Sequence, residues 1–234
     1  MIALDRLTLA YGNKVILNAA DTTFGRGTLT ALIGRNGAGK STLLRALAAI
    51  DTPHSGAVVI DSHPLHSLTA EERARLIAFV STQRVRIANL SCQDVVAIGR
   101  APYTNWLGRM QEQDHEIVSS ALEAVGMTDF ALRSIDSLSD GECQRIMIAR
   151  ALAQQTPVIL LDEPTAFLDI PTRFEICRLL ADLAHSSGKT IIFSTHDIDA
   201  ALPVCDNFAI LDNATLALQS REQAAEKIKT LFSL

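Results

Sequence analysis

The sequence predicts an α/β fold built on a parallel sheet, and three observations carry that expectation. Short Val- and Ile-rich runs at Leu29–Ile33, Leu76–Val80, Val158–Leu161 and Thr190–Ser194 alternate with helix-patterned stretches. Near-continuously apolar strands belong to sheets covered on both faces. A glycine-rich segment from Gly34 to Thr42 joins the first run to a helical stretch over 41–49. The run Val158–Leu161 ends in two acids, Asp162 and Glu163. At 234 residues, 48% of them hydrophobic, the chain has the length of one domain, with or without a lobe, and needs no staples to hold a core.

The elements follow in order. Ile2–Leu9, Lys14–Asn18 and Ala57–Asp61 alternate polar with apolar residues, the pattern of an antiparallel flank with one solvated face. Residues 93–135 carry helical patterns and no strong strand, which places a helical lobe inside the sheet order. Pro171 suits a helix start, and Ile176, Leu179, Leu180 and Leu183 form an i, i+3, i+4, i+7 stripe. Residues 221–232 read as an amphipathic helix. The expected division is a core with its flank in 1–84 and 155–234, and a helical subdomain in 85–154.

Composition narrows the function. A net charge of −5 argues against a broadly basic nucleic-acid binder. The four cysteines, at 92, 143, 177 and 205, form no C-x-x-C pair, so they read as reduced thiols of a cytosolic protein. Asp5 and Arg6 stand where a signal peptide needs an apolar core. No stretch reaches the roughly 20 apolar residues of a membrane span, so the chain is expected to meet a membrane only through a partner. His54, His63 and His66 read as solvated loop histidines, because Pro64 breaks any helical alignment of the last two.

Gly34-Arg35-Asn36-Gly37-Ala38-Gly39-Lys40-Ser41-Thr42 fits the phosphate-loop pattern G-x-x-x-x-G-K-[ST]. It follows a strand and opens a helix, as that chemistry requires. The glycines let backbone N–H groups turn onto phosphate oxygens, and the helix N-terminus adds its positive end. Lys40 is placed to reach the β- and γ-phosphates, and the Ser41 hydroxyl to hold Mg²⁺. About 120 residues on, Asp162 ends its strand as a second Mg²⁺ ligand, mostly through water. Glu163 comes next and points elsewhere, since side chains alternate along a strand. It is the candidate general base for in-line attack of water on the γ-phosphate.

Leu138-Ser139-Asp140-Gly141-Glu142, about 20 residues before those acids, resembles the L-S-G-G-Q signature of ABC-transporter ATPases. The resemblance runs from about residue 2 to 212. It implies a P-loop NTPase core of the ABC ATPase fold. It also gives roles to residues that are unremarkable singly. Tyr11 matches the aromatic that stacks on adenine. Gln83 matches the glutamine that meets Mg²⁺ and the attacking water. Asp169 matches the acid that crosses a dimer interface, and His196 the switch histidine at the γ-phosphate. Ser139 and Gly141 match the pair that holds the γ-phosphate bound by the other subunit. The family therefore implies a homodimer with two ATP at the interface, integral-membrane permease subunits, a substrate-binding protein met indirectly, and no nucleic acid. It implies a peripheral position on the cytoplasmic face of a bacterial cell membrane. Two departures stand out: Asp140 and Glu142 replace a glycine and the glutamine, and Asp140 is expected to face away from phosphate.

The run from Asp94 to Tyr103, with Gly99-Arg100-Ala101-Pro102, is similar to the V-x-x-G-R-x-P segment of iron–siderophore, haem and cobalamin importers. It also reads simply as a helix ending at Gly99 with a turn at Pro102. Arg84, Arg86, Arg100 and Arg109 are candidates for the surface that receives the permease, and equally for a solvated basic face. Charge reversal at Arg86 or Arg100 is expected to uncouple hydrolysis from transport. The competing readings are an ABC ATPase of another transporter class, a soluble ABC ATPase acting on DNA or ribosomes, a P-loop kinase or GTPase, and a non-catalytic nucleotide-binding module.

Overall fold

Four consecutive strand ends, set side by side, organise the molecule. The computed structural model describes residues 1–12, 14–83, 89–104 and 108–225. In chain order the elements are β1 (Ile2–Tyr11), β2 (Lys14–Phe24), β3 (Leu29–Ile33), α1 (Lys40–Leu47), β4 (Ser55–Ile60), β5 (His63–Pro64), α2 (Ala70–Ala74) and β6 (Ile77–Val80). Then come α3 (Cys92–Ala97), α4 (Glu112–Ala124), α5 (Asp140–Ala153), β7 (Val158–Leu161), α6 (Ile170–Ser187), β8 (Thr190–Ser194), α7 (Ile198–Ala201), β9 (Asn207–Asp212) and β10 (Thr215–Ser220). Residues 221–225 are helical, and the rest of the expected C-terminal helix lies outside the described residues.

The main sheet runs β10-β9-β3-β8-β7-β6. It is parallel from β9 to β6, and β10 pairs antiparallel with β9. A second sheet, β2-β1-β4-β5, is antiparallel throughout. This is the α/β architecture with an antiparallel N-terminal flank that the sequence predicts. Strand alternation separates two cores. Leu29, Ala31 and Ile33 of β3 pack with α3 to α6, whereas Leu32 packs with the flank and α1.

The boundaries shift where caps decide them. The helix after the phosphate loop ends at Leu47 rather than Ala49, and Ala49 has left-handed φ 51°. The stripe on α6 is buried at Ile176, Leu180 and Leu183, with Pro171 in the first turn and left-handed Gly188 as C-cap. The β9–β10 hairpin was not among the expected strands. Among the described residues no helix is long and apolar enough to cross a membrane.

The Gly99-Arg100 segment overturns one expectation. Arg100 is 4% exposed, so it belongs to no docking face and to no solvated one. Its Nε donates to Asp114 Oδ1 at 2.8 Å, and its Nη1 donates to Ala153 O at 2.8 Å and Gln155 Oε1 at 2.9 Å. The guanidinium also lies 4.1 Å from the Tyr103 ring centre. A Cβ at position 99 would strike Arg150 O, so glycine lets the segment approach α5 closely enough for these bonds. One guanidinium thereby joins α4, the end of α5 and the turn after α3. Arg109 is exposed, and Arg84 and Arg86 lie outside the described residues.

Candidate nucleotide site

In a parallel α/β sheet, ligands bind beyond the carboxyl ends of the strands. The site residues come from such ends. β3 leads into Gly34–Gly39, β8 ends at Ser194 before His196, β7 leads into Asp162 and Glu163, and β6 leads to Gln83. Because β3, β8, β7 and β6 are neighbours in that order, residues over 100 apart in sequence converge.

The phosphate loop is tight. Gly39 has φ 104°, and a Cβ there would strike Ile16 Cγ2. Only glycine allows the loop to turn into α1 against β2. Lys40 is 6% exposed and donates to Gly34 O at 3.0 Å. Burial pushes its ammonium below the usual lysine range, against the opposing pull of Glu163 and Asp162. The lysine therefore lies across the loop that would hold a phosphate. Gly37 sits with φ 74° at the exposed turn, and Asn36 is exposed beside it. Thr42 is half-buried in the first turn of α1.

Ser41 Oγ donates to Asp162 Oδ1 at 3.0 Å, and Ser194 Oγ donates to the same oxygen at 2.7 Å. A hydroxyl beside a carboxylate is a hard-oxygen donor set, the kind Mg²⁺ takes. Glu163 takes left-handed φ 49°, a strain of about 1–3 kcal/mol for a non-glycine residue. Its N–H is held at Ser194 Oγ at 2.8 Å. That turn sends the two acids in different directions. Glu163 Oε1 lies 2.7 Å from His196 Nε2, which is also 3.3 Å from Lys40 Nζ. A carboxylate only accepts, so the Glu163 contact is a hydrogen bond in the tautomer that carries its proton on Nε2. Lys40, Ser41, Asp162, Glu163 and His196 thus form one contiguous chain of contacts. Gln83 lines a small cavity with Glu163, Asp140 and Phe167.

The remaining predicted residues lie farther out. Tyr11 is 81% exposed at the end of β1. Asp169 is the N-cap of α6 and accepts from Thr172 N at 3.0 Å. The bond from the Thr172 hydroxyl, and then this one, hold its carboxyl below the usual range. The helix after the signature begins at Asp140, so Gly141 is inside its first turn and Ser139 is the N-cap. Glu142 explains its own departure. Its Oε2 accepts from Ser139 Oγ at 2.7 Å and Ser139 N at 2.8 Å, and Ser139 Oγ accepts from Glu142 N. This capping box orders the start of α5. Asp140 lines the same cavity as Gln83 and Glu163.

Four participants were not predicted: Ser194, Thr165, Arg173 and Asp197. Ser194 ends a strand that was legible, and its hydroxyl bridges Asp162 and the Glu163 backbone. Alternation along β8 was a usable signal for it. The other three meet through contacts 24 to 32 residues apart, which no local pattern encodes. Among the described residues no group of three or more His, Cys, Asp or Glu is arranged to hold a metal by itself. His63 Nδ1 lies 2.9 Å from Asp61 O, at an exposed turn.

The chain is similar to known proteins in sequence and in fold. A family described as ABC transporter matches residues 17–166. The petrobactin import ATP-binding protein of Bacillus anthracis is 38% identical over 93% of this chain and 80% of its own length. The achromobactin transport ATP-binding protein of Dickeya dadantii is 37% identical, over 97% of this chain and 86% of its own. Among solved structures, an inward-facing metal-chelate type ABC transporter superposes with TM-score 0.86 at 29% identity, covering 100% of this chain and 89% of that one. A dimeric ATP-binding cassette bound to ADP and Pi after hydrolysis superposes with TM-score 0.80 at 29% identity, covering 94% and 99%.

Proposed function

This chain belongs to the ABC transporter family, and from that membership we propose that it hydrolyses ATP to drive import of an iron–siderophore complex through a separate membrane permease. The observation that carries the catalytic part is the 2.7 Å contact of Glu163 with His196 beside Lys40. The substrate class follows the names of the relatives, which include petrobactin and achromobactin transport proteins.

The roles we assign follow from position. The backbone of Gly34, Asn36, Gly37, Ala38 and Gly39, with Thr42, cradles the phosphates, and Lys40 neutralises them. Tyr11 offers an exposed ring to adenine. Ser41 and Asp162, with Gln83, would hold Mg²⁺, which would supply positive charge to offset that of the phosphates. Glu163 takes the proton of the attacking water, whose oxygen bonds to the γ-phosphorus. The bond to the bridging oxygen breaks, and ADP leaves with that oxygen. His196 orients Glu163 and the γ-phosphate. Ser139, Gly141 and Asp169 serve the site of a second copy, giving a homodimer with two ATP between its subunits. Residues 1–84 and 155–234 form the nucleotide-binding core, and 85–154 the helical subdomain. The dimer sits on the cytoplasmic face of a bacterial cell membrane, bound to the permease. The substrate-binding protein is reached through the permease, and nucleic acid has no part.

Extraction of the protein from native membranes in mild detergent tests this reading. A polytopic permease is expected to co-purify and to be identified by mass spectrometry. Recovery with ribosomes or DNA-repair factors, and without a permease, overturns it.

A further inference from the structure

We propose that Arg173 and Asp197 form a strap that fixes His196 relative to the loop carrying Asp169, which makes Arg173 a positioning residue for hydrolysis. The inference rests on the reading of Glu163 and His196 as the hydrolytic pair.

Asp197 directly follows His196, and Leu168 directly precedes Asp169. Arg173, in the first turn of α6, holds both. Its Nε donates to Leu168 O at 2.9 Å, and its Nη1 donates to Asp197 Oδ1 at 2.6 Å. The second oxygen of Asp197 accepts from Thr165 Oγ1 at 2.6 Å. The Asp197 N–H donates to Thr195 Oγ1 at 2.9 Å, and the Thr195 N–H donates to Leu32 O at 3.2 Å. Thr165 and Thr195 are each 1% exposed, so these anchors are fixed in the core. The loop between Glu163 and Asp169 is therefore tied to the loop after β8 at two points. One is Thr165, and the other is Leu168 through Arg173.

Stability does not explain this arrangement. The Arg173 and Asp197 side chains are 35% and 23% exposed, and pairs that reach solvent contribute little to folding. What the fork supplies is direction. A guanidinium donates along two fixed vectors at once, and a lysine ammonium cannot reproduce them. The His196 side chain meets Glu163 and Lys40, and neither contact is a fork of this kind. Freed from the strap, its imidazole loses its fixed distance to Glu163, and misplacement by about 1 Å costs up to roughly 100-fold in rate. The strap also links the residue assigned to the partner's site, Asp169, with the residue assigned to this protomer's own site.

Steady-state ATP hydrolysis by Arg173→Ala, Arg173→Lys, Asp197→Ala and the Arg173→Ala/Asp197→Ala double variant tests the strap, with Glu163→Gln as reference. The single alanine variants are expected to lose about tenfold or more in kcat, with KM for ATP within about twofold. The double variant is expected to lose clearly less than the product of the two single losses, because both changes cut the shared Arg173–Asp197 bond while each also removes one bond of its own. Arg173→Lys, which keeps the charge, is expected to melt like the unaltered protein and recover only part of kcat. Losses that multiply in the double variant, a change in KM alone, or full kcat in Arg173→Lys would overturn the strap. If Glu163→Gln hydrolyses ATP normally, the hydrolytic pair itself is wrong. If Glu163→Gln is inactive while every Arg173 and Asp197 variant turns over normally, the strap alone falls.

Discussion

A Glu163→Gln protein is expected to bind ATP and to lose roughly 10²–10⁴-fold in hydrolysis. The change keeps the volume of the side chain and removes its capacity to take a proton. Binding is preserved because the phosphate contacts come from elsewhere. Lys40 lies across the phosphate loop from α1, and the hard-oxygen pair Ser41 and Asp162 is 3.0 Å apart. The Glu163 backbone stays in place because its N–H is held by Ser194 Oγ, and an amide side chain leaves that bond untouched. The comparison that checks this is single-turnover hydrolysis against equilibrium binding of a fluorescent ATP analogue. Normal turnover would remove Glu163 from the reaction, and lost binding would move it into the phosphate cradle.

Replacing Arg100 by alanine is expected to destabilise the protein by about 3–5 kcal/mol, the cost of stranding one partner of a buried ion pair. The side chains of Arg100 and Asp114 are 5% and 8% exposed and 2.8 Å apart. The loss also strands Ala153 O, a carbonyl near the C-terminal end of α5. Acid separates charge from packing. The N–H of Gln111, and then Arg100, hold the Asp114 carboxyl below the usual carboxylate range. A depressed carboxyl adds stability that is present above its unfolded pKa of about 3.9 and is lost as pH falls through the folded value. In Arg100→Ala the remaining carboxylate is an uncompensated charge, and protonation relieves it. The deficit is therefore expected to be largest near neutral pH and to shrink below about pH 4. Urea unfolding of both proteins at pH 7 and about pH 3 measures it. An equal deficit at both values would assign the loss to packing. A charge-reversed Arg100 would thus report on folding of the helical subdomain, and it cannot report on coupling to a permease.

The contrast between these two residues marks what the chain discloses before it is folded. Glu163 is legible because its context is contiguous: an apolar strand, then Asp162, then Glu163. The phosphate loop is legible for the same reason, with its strand and helix attached. Arg100 looked like a surface cation because a sequence gives charge without burial. Its partner Asp114 is 14 residues away, and its acceptors at 153 and 155 are more than 50 away. Glu142 was legible in principle, since Ser139 and Glu142 have the S-x-x-E spacing of a capping box. Read as a family position, it looked like a departure. Read as a helix start, it is an ordinary cap. The β9–β10 hairpin went unread although Phe208 to Leu211 are buried. Its turn, Asn213-Ala214, has positive φ at both residues, and alanine there hides a hairpin that Asn-Gly would announce.

The cysteines follow the same logic. Cys177 and Cys205 lie in the core, where burial pushes the Cys177 thiol up to about 12 and the Cys205 thiol also well above the usual range. They behave as small apolar side chains, consistent with the reduced thiols the spacing predicts.

On the proposed function, ATP joins two copies of this chain through sites that each copy only half builds. The molar mass of Glu163→Gln by light scattering, with and without ATP and Mg²⁺, tests it most directly. A monomer without ATP that becomes a dimer with ATP, and that fails to dimerise when Lys40→Ala is added, is the predicted result. A mass that stays monomeric at saturating ATP would contradict the account.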